Sequence, residues 1–236
     1  MGIVYASSNI LLKSLLRIFG DWEVNGKENV PRTGALIIVA NHISDIDGGI
    51  LNASIPRRVE LMAKAELFEK PIISQLWKAY GAFPINESGR EFYSINHSLH
   101  ILNRNGVIGI FPEGAKNPTA LGQAMLGSAL IAMISGAPIL PVGITGTESV
   151  GDGIRICYPK GTFKITIGKP FSAPVVKDKR LRKNIETTTD IIMKQIAALL
   201  PERHRGVYHN DWEGKRSYTS PPKWSNVKQD NPNWPS

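Results

Sequence analysis

Residues 35–40 read ALIIVA, a run with no polar side chain and no alternation. A strand with one wet face alternates polar and apolar residues at period two. A strand that is apolar at every position is covered on both faces, as in a largely parallel sheet packed between helices. Residues 107–111, VIGIF, form a second run of the same kind. The segments around them alternate in character. Residues 44–51 can open a helix with Ser44 as its cap, and residues 59–64 read as a strand. Residues 72–80 and 123–135 read as helices, and residues 139–144 as another buried strand. Residues 163–167 alternate like a more exposed strand, and residues 177–200 form a long polar-apolar helix stopped by Pro201. The pattern predicts an α/β fold with a mostly parallel central sheet flanked by helices. At 236 residues the chain fits one such domain with appendages.

The appendages lie at the two ends. Residues 4–19 are largely apolar but contain Lys13 and Arg17, and they fall short of the roughly 20 apolar residues that a membrane span needs. Ile10 to Leu12, Leu15, Leu16 and Phe19 recur at helical spacing, with Lys13 and Arg17 four apart on another side. That pattern suits a helix lying in a membrane interface, and equally a helix packed on the protein's own core. No A-x-A-like cleavage site follows, so a removable signal is not expected. From residue 202 onward Trp, Pro, Asn and charged residues replace the periodic apolar ones, so that Trp224 and Trp234 read as docking points of a tail that is poorly ordered or draped over the domain. The expected division is a surface helix at 1–20, a catalytic domain at 21–201 and a tail at 202–236.

Net charge is +8, with a sequence pI near 9.6, which draws the chain to polyanions: nucleic acid, an anionic membrane surface or a phosphorylated substrate. No aromatic-interleaved basic motif or groove-reading helix supports nucleic acid. Cys157 is the only cysteine, so no intrachain disulfide is expected and the chain reads as intracellular. The histidines are scattered, with no zinc-type spacing, and no metal site is expected.

The sharpest feature is Asn41-His42-Ile43-Ser44-Asp45-Ile46-Asp47, directly after ALIIVA. In open α/β sheets the ligand crevice lies beyond the carboxyl ends of the strands. Within one continuous helix, residues five apart point about 140° away from each other. His42 in a turn and Asp47 in the first turn of the next helix could instead meet. A carboxylate on one imidazole nitrogen fixes the tautomer and leaves the other nitrogen as a general base for a hydroxyl. Ser44 and Asp47 also fit a capping box, in which Asp47 serves only the helix terminus.

A second strand end reads Pro112-Glu113-Gly114-Ala115-Lys116, a carboxylate, a flexible glycine and a cation. Such a trio suits a phosphorylated polyol, with Glu113 accepting a hydroxyl hydrogen bond and Lys116 answering a phosphate. A solvated β-turn would use the same residues. Lys64 in Met62-Ala63-Lys64-Ala65-Glu66, and Gly81 and Phe83 in Gly81-Ala82-Phe83-Pro84-Ile85-Asn86, have bland readings when taken singly.

Taken in order, NHISDID with its H-x4-D core, GAFPIN, FPEGAK and APILPV resemble the lysophosphatidate acyltransferase family, the PlsC-type glycerophospholipid acyltransferases. The resemblance covers roughly residues 20–205, and four ordered motifs are far more specific than one. It implies a glycerol-3-phosphate acyltransferase-like fold and transfer of an acyl group from a thioester, acyl-CoA or acyl carrier protein, to the free hydroxyl of 1-acylglycerol 3-phosphate. His42 would deprotonate that hydroxyl, Asp47 would orient His42, and Glu113 and Gly114 would help to hold the acceptor. Lys64, Gly81, Phe83, Arg90 and Lys116 complete the implied substrate-binding set. No cofactor beyond the thioester is implied. The implied partners are the lysophospholipid, the acyl donor and an anionic membrane surface, with the protein peripheral on the cytoplasmic face. Two departures stand out. Lys116 stands where the family usually has arginine, which keeps charge but loses the bidentate fork. The second block lacks its usual arginine, and Arg90 is the nearest cation that could replace it. Other lysophospholipids, or glycerol 3-phosphate, remain alternative acceptors. Thioester hydrolysis and a non-catalytic binding module are the competing function classes.

Overall fold

A computed structural model describes residues 2–64, 69, 74–75, 81–85, 91–150, 158–173 and 181–209. Among these residues seven strands form one sheet in the order β1-β7-β6-β2-β5-β3-β4. They are β1 (Asp21–Asn25), β2 (Leu36–Ala40), β3 (Glu60–Lys64), β4 (Ala82–Ile85), β5 (Val107–Ile110), β6 (Ile139–Thr145) and β7 (Thr162–Ile167). Every pairing is parallel except β6 with β7. The mostly parallel sheet predicted from ALIIVA is therefore present, with β2 at its centre between β5 and β6.

The reason β2 can be apolar throughout is visible in its two faces. Ile37 and Val39 join one core cluster, together with Ile108 and Ile110 of β5 and with α3 (Glu91–Asn103), α4 (Gly127–Ser135) and α5 (Leu181–Ala198). Leu36, Ile38 and Ala40 join the other, with α1 (Gly2–Phe19) and α2 (Asp47–Ser54). All five β2 residues are fully buried. Each large side chain so buried contributes roughly 1.5–3 kcal/mol relative to exposure. A charge at any of these positions would face a helix layer on one side or the other.

Several boundaries differ from the sequence reading. The helix expected from residue 44 begins at Asp47, its N-cap is Ile46, and no side-chain cap hydrogen bond is made, so Ser44 is not the capping residue. The helix expected from residue 123 begins at Gly127. β1, β4 and α3 were not foreseen. β7 is as expected: Phe163, Ile165 and Ile167 are buried while Thr162 and Lys164 are exposed. Most of the helix expected at 72–80, Cys157 and the tail beyond residue 209 lie outside the described residues.

The N-terminal helix divides its apolar residues between two directions. Leu16 is fully buried against the α2 side of the sheet and Leu12 packs beside it, whereas Ile10, Leu11 and Ile18 are 61 to 70% exposed. The expected single apolar stripe, in which Leu12 and Leu16 joined Ile10 and Leu11, is thus split between core and solvent. Among the described residues no helix is long and apolar enough to cross a membrane. At the other end, residues 202–208 do not leave the domain. Two 3-10 turns, Glu202–His204 and Gly206–Tyr208, fold back on it with His204 and Tyr208 buried.

Candidate active site

The register of the sheet assembles the site. β2 pairs with β5 so that Val39 lies beside Ile110, and with β6 so that Ala40 lies beside Val142. The residues just past these parallel strands therefore emerge side by side at one end of the sheet. Asn41 continues the ladder with its side chain. Its Nδ2 donates to the Ile144 carbonyl at 2.8 Å and its Oδ1 accepts from the Ile144 N–H at 2.7 Å. That two-point contact fixes the peptide leading into His42.

His42 and Asp47 meet as the loop geometry requires. His42 Nδ1 lies 2.9 Å from Asp47 Oδ2, with Asp47 fully buried and the His42 side chain 21% exposed. The same oxygen accepts from the backbone N–H groups of Ile43 at 2.6 Å and Ser44 at 2.8 Å. The capping box is not made as expected, since Ser44 is not the cap, but Asp47 gathers the turn before its helix, and the gathered turn brings the imidazole to it. Phe111 completes the setting by stacking on the His42 ring, with centroids 4.3 Å apart and planes 21° apart. Nδ1 is engaged, so Nε2 is the ring nitrogen available for chemistry.

The second strand end also reaches the site. Glu113 Oε1 accepts from the His42 N–H at 3.2 Å, and Oε2 accepts from Asn117 Nδ2 at 2.6 Å and from the Gly122 N–H at 2.8 Å. Burial pushes the Glu113 carboxyl above the usual range, an effect offset in part by the donors from Gly122, His42 and Asn117 and by the charge of His42. Gly114 has φ +68°, a left-handed conformation that favours glycine, while the Met125 side chain that an added Cβ would meet is half exposed and free to shift. Lys116 Nζ lies 2.8 Å from Asp45 Oδ2, an exposed pair that links the two loops.

The remaining expected residues fall elsewhere. Gly81 precedes β4 at the amino-terminal end of the sheet, opposite His42. Its φ is +91° and an added Cβ would sit 3.0 Å from the Val59 carbonyl, so its role is conformational and it is not brought to the site. Phe83 is buried within β4, where its ring packs on His97 of α3 with centroids 4.7 Å apart, which makes it a core residue. Lys64 ends β3 at the site end of the sheet. Arg90 lies outside the described residues. Asn41, Phe111, Asn117 and Gly122 were not singled out from sequence. Of these only Asn41 carried a local signal, its place directly between a buried strand and His42.

A mostly parallel sheet whose central strand delivers a carboxylate-held imidazole to the strand ends is an arrangement chemically able to take a proton from a hydroxyl bound there. The sequence model of the family described as Acyltransferase matches residues 21–145, and the chain belongs to that family. The chain is similar to the 1-acyl-sn-glycerol-3-phosphate acyltransferase of Bacillus subtilis (strain 168), 27% identical over 189 residues that cover 80% of this chain and 92% of that protein. It is also similar to the enzyme of the same name from Streptococcus pneumoniae (strain ATCC BAA-255 / R6), 26% identical over 199 residues covering 80% of this chain and 72% of that one. The fold matches the crystal structure of the 1-acyl-sn-glycerophosphate (LPA) acyltransferase PlsC from Thermotoga maritima, with a TM-score of 0.60 at 23% identity over 79% of this chain and 77% of that one.

Proposed function

We propose that the chain is a 1-acylglycerol-3-phosphate O-acyltransferase, which transfers a fatty acyl group from a thioester to lysophosphatidate and makes phosphatidate for phospholipid synthesis. The observation that carries the mechanism is the contact of His42 Nδ1 with the buried Asp47 carboxylate, 2.9 Å long, in a family of acyltransferases. His42 Nε2 takes the proton of the acceptor hydroxyl as its oxygen attacks the thioester carbonyl. The tetrahedral intermediate then collapses, the C–S bond breaks, and the imidazolium returns the proton to the leaving thiolate. Asp47 holds the tautomer and stabilises the imidazolium without itself taking the proton. A thioester is already activated, so no covalent acyl-enzyme is needed.

Lys116 and Lys64, at or beyond the carboxyl ends of β5 and β3, are the cations assigned to the acceptor phosphate, and Arg90, outside the described residues, is a third candidate from sequence. Two acyl-bearing substrates place the reaction at a lipid surface, with the protein peripheral on its cytoplasmic face. The outward residues Ile10, Leu11 and Ile18, with Arg17 exposed among them, support α1 as the segment that lies on an anionic bilayer. The deciding experiment measures turnover with acyl-CoA and with acyl carrier protein thioesters against lysophosphatidate, glycerol 3-phosphate and other lysophospholipids. Phosphatidate formed from lysophosphatidate with either donor is the expected result. Acyl release to water at the same rate with and without acceptor would make the protein a hydrolase and overturn the assignment.

A further inference from the structure

His42 lies in a loop between a strand and a helix, where no backbone ladder holds it. Asp47 fixes the ring from the first turn of α2, five residues along the same segment. Beside the apolar packing of Ile46 and α2, the hydrogen bonds that tie this segment to the rest of the domain, apart from the Asn41 contact with β6, come from the loop after β5. Glu113 grips the His42 N–H through Oε1, and the backbone N–H of Asn117 donates to the His42 carbonyl at 2.7 Å. One short stretch therefore holds the histidine on both sides of its own residue. The Asn117 side chain closes the arrangement by donating to Glu113 Oε2 at 2.6 Å, beside the Gly122 N–H.

The surroundings show that this clamp is built rather than incidental. Glu113 is buried, and three donors occupy its carboxylate, which has about four lone-pair sites. An added Cβ on Gly122 would lie 2.8 Å from Asn117 Nδ2, so a side chain at that position would crowd the amide. The far end of the loop is pinned in turn. The Leu121 N–H donates to the His204 carbonyl at 2.9 Å, and the Leu121 carbonyl accepts from the Val207 N–H at 3.3 Å.

We propose that Asn117 is a positioning residue for His42, acting through Glu113. The proposal rests on His42 being the general base. A base works only within hydrogen-bond reach of its proton, and a misplacement of about 1 Å can cost on the order of 100-fold in rate. Without the Asn117 amide, Glu113 keeps its burial but loses a donor, so its hold on the His42 N–H slackens.

The test is steady-state kinetics of Asn117→Ala, His42→Ala and the double variant, with acyl-CoA and lysophosphatidate in mixed micelles. Asn117→Ala is expected to lower kcat by about 10- to 100-fold while both KM values stay within about 2-fold. In the His42→Ala background the same change should leave the residual rate unaltered, because the clamp has nothing left to position. A raised acceptor KM with kcat retained, a full kcat, or a loss that adds to that of His42→Ala would each overturn the proposal. Should thermal melting show that Asn117→Ala does not fold, Asn117→Ser, which keeps a shorter donor, is put through the same measurements with the same criteria. Retained turnover in His42→Ala would instead bring down the dyad, a separate failure read from a separate variant.

Discussion

Two ion pairs of nearly equal length share the NHISDID segment. His42 and Asp47 meet at 2.9 Å, and Asp45 and Lys116 at 2.8 Å. Distance does not separate them, but burial does. The Asp47 side chain is 0% exposed, whereas Asp45 and Lys116 are 49% and 41% exposed. A buried carboxylate must be answered by several donors, and Asp47 Oδ2 takes one from the ring and two from the backbone. An exposed pair gains roughly 0–1 kcal/mol and can be exchanged for water or for another ion at small cost. The first pair is thus suited to hold one geometry and the second to let go.

The sharpest way to break this comparison is to remove the imidazole. His42→Ala should lower kcat by about 10²- to 10⁴-fold, the usual worth of a general base, with a melting temperature close to that of the parent. Substantial turnover in the folded variant would remove the dyad from the mechanism. Asp47→Asn comes next. All three bonds that Asp47 accepts end on Oδ2, and an amide keeps the shape but not the negative charge, so the imidazolium loses its counter-charge and the turn loses its charge-assisted bonds. A rate loss of about 100-fold or more is expected, together with about 1–3 kcal/mol of stability read from denaturant unfolding. A stability loss with the rate intact would leave Asp47 as a capping group alone.

The parts of this comparison were unequally legible in the sequence. ALIIVA announced a strand buried on both faces, and a histidine just beyond it announced a site. The H-x4-D spacing required a loop, since one helix would point the two residues apart. β1 was illegible because it lies at a sheet edge with Asp21, Glu23 and Asn25 exposed. β4 was hidden by its length of four residues and by Pro84. α3 was missed for a different reason: Ser94 and Ser98 are buried, with Ser98 Oγ donating to the Ser94 carbonyl at 2.6 Å, so polar residues stand where an apolar stripe would have shown. The clamp at Asn117 depends on contacts across 71 residues of chain, and no local period reports such a contact.

Glu113 extends the comparison to a third carboxylate, and pH reads it. Its carboxyl is raised, chiefly by burial, so the native state keeps the proton to higher pH than the unfolded chain does. The sign follows from linkage. In the parent, this group takes stability away as pH rises from the ordinary carboxylate range to the raised value, and nothing further changes above it. Glu113→Gln removes that titration. The stability of the variant relative to the parent should therefore climb through that window and then level off, as followed by urea midpoints across pH. Parallel curves for the two proteins would mean that Glu113 titrates as it does in the unfolded chain.

The smallest effects belong to the exposed pair, and their signs carry the information. If Lys116 leaves Asp45 to meet an acceptor phosphate, Asp45 competes with the substrate for the same ammonium. Lys116→Ala should then raise the acceptor KM by about 5- to 10-fold, the scale of one exposed charge-assisted contact, with kcat and the donor KM nearly unchanged. Asp45→Asn should do the opposite and lower the acceptor KM by a small factor, because the charge of Asp45 no longer competes with the substrate. Both shifts should shrink as salt is raised, since exposed charges are screened over about 8–10 Å at ordinary ionic strength. Neither variant should change unfolding by more than about 1 kcal/mol. A rise in acceptor KM for both variants would show that the two loops need the pair intact, and that Lys116 acts from where it rests rather than by changing partners.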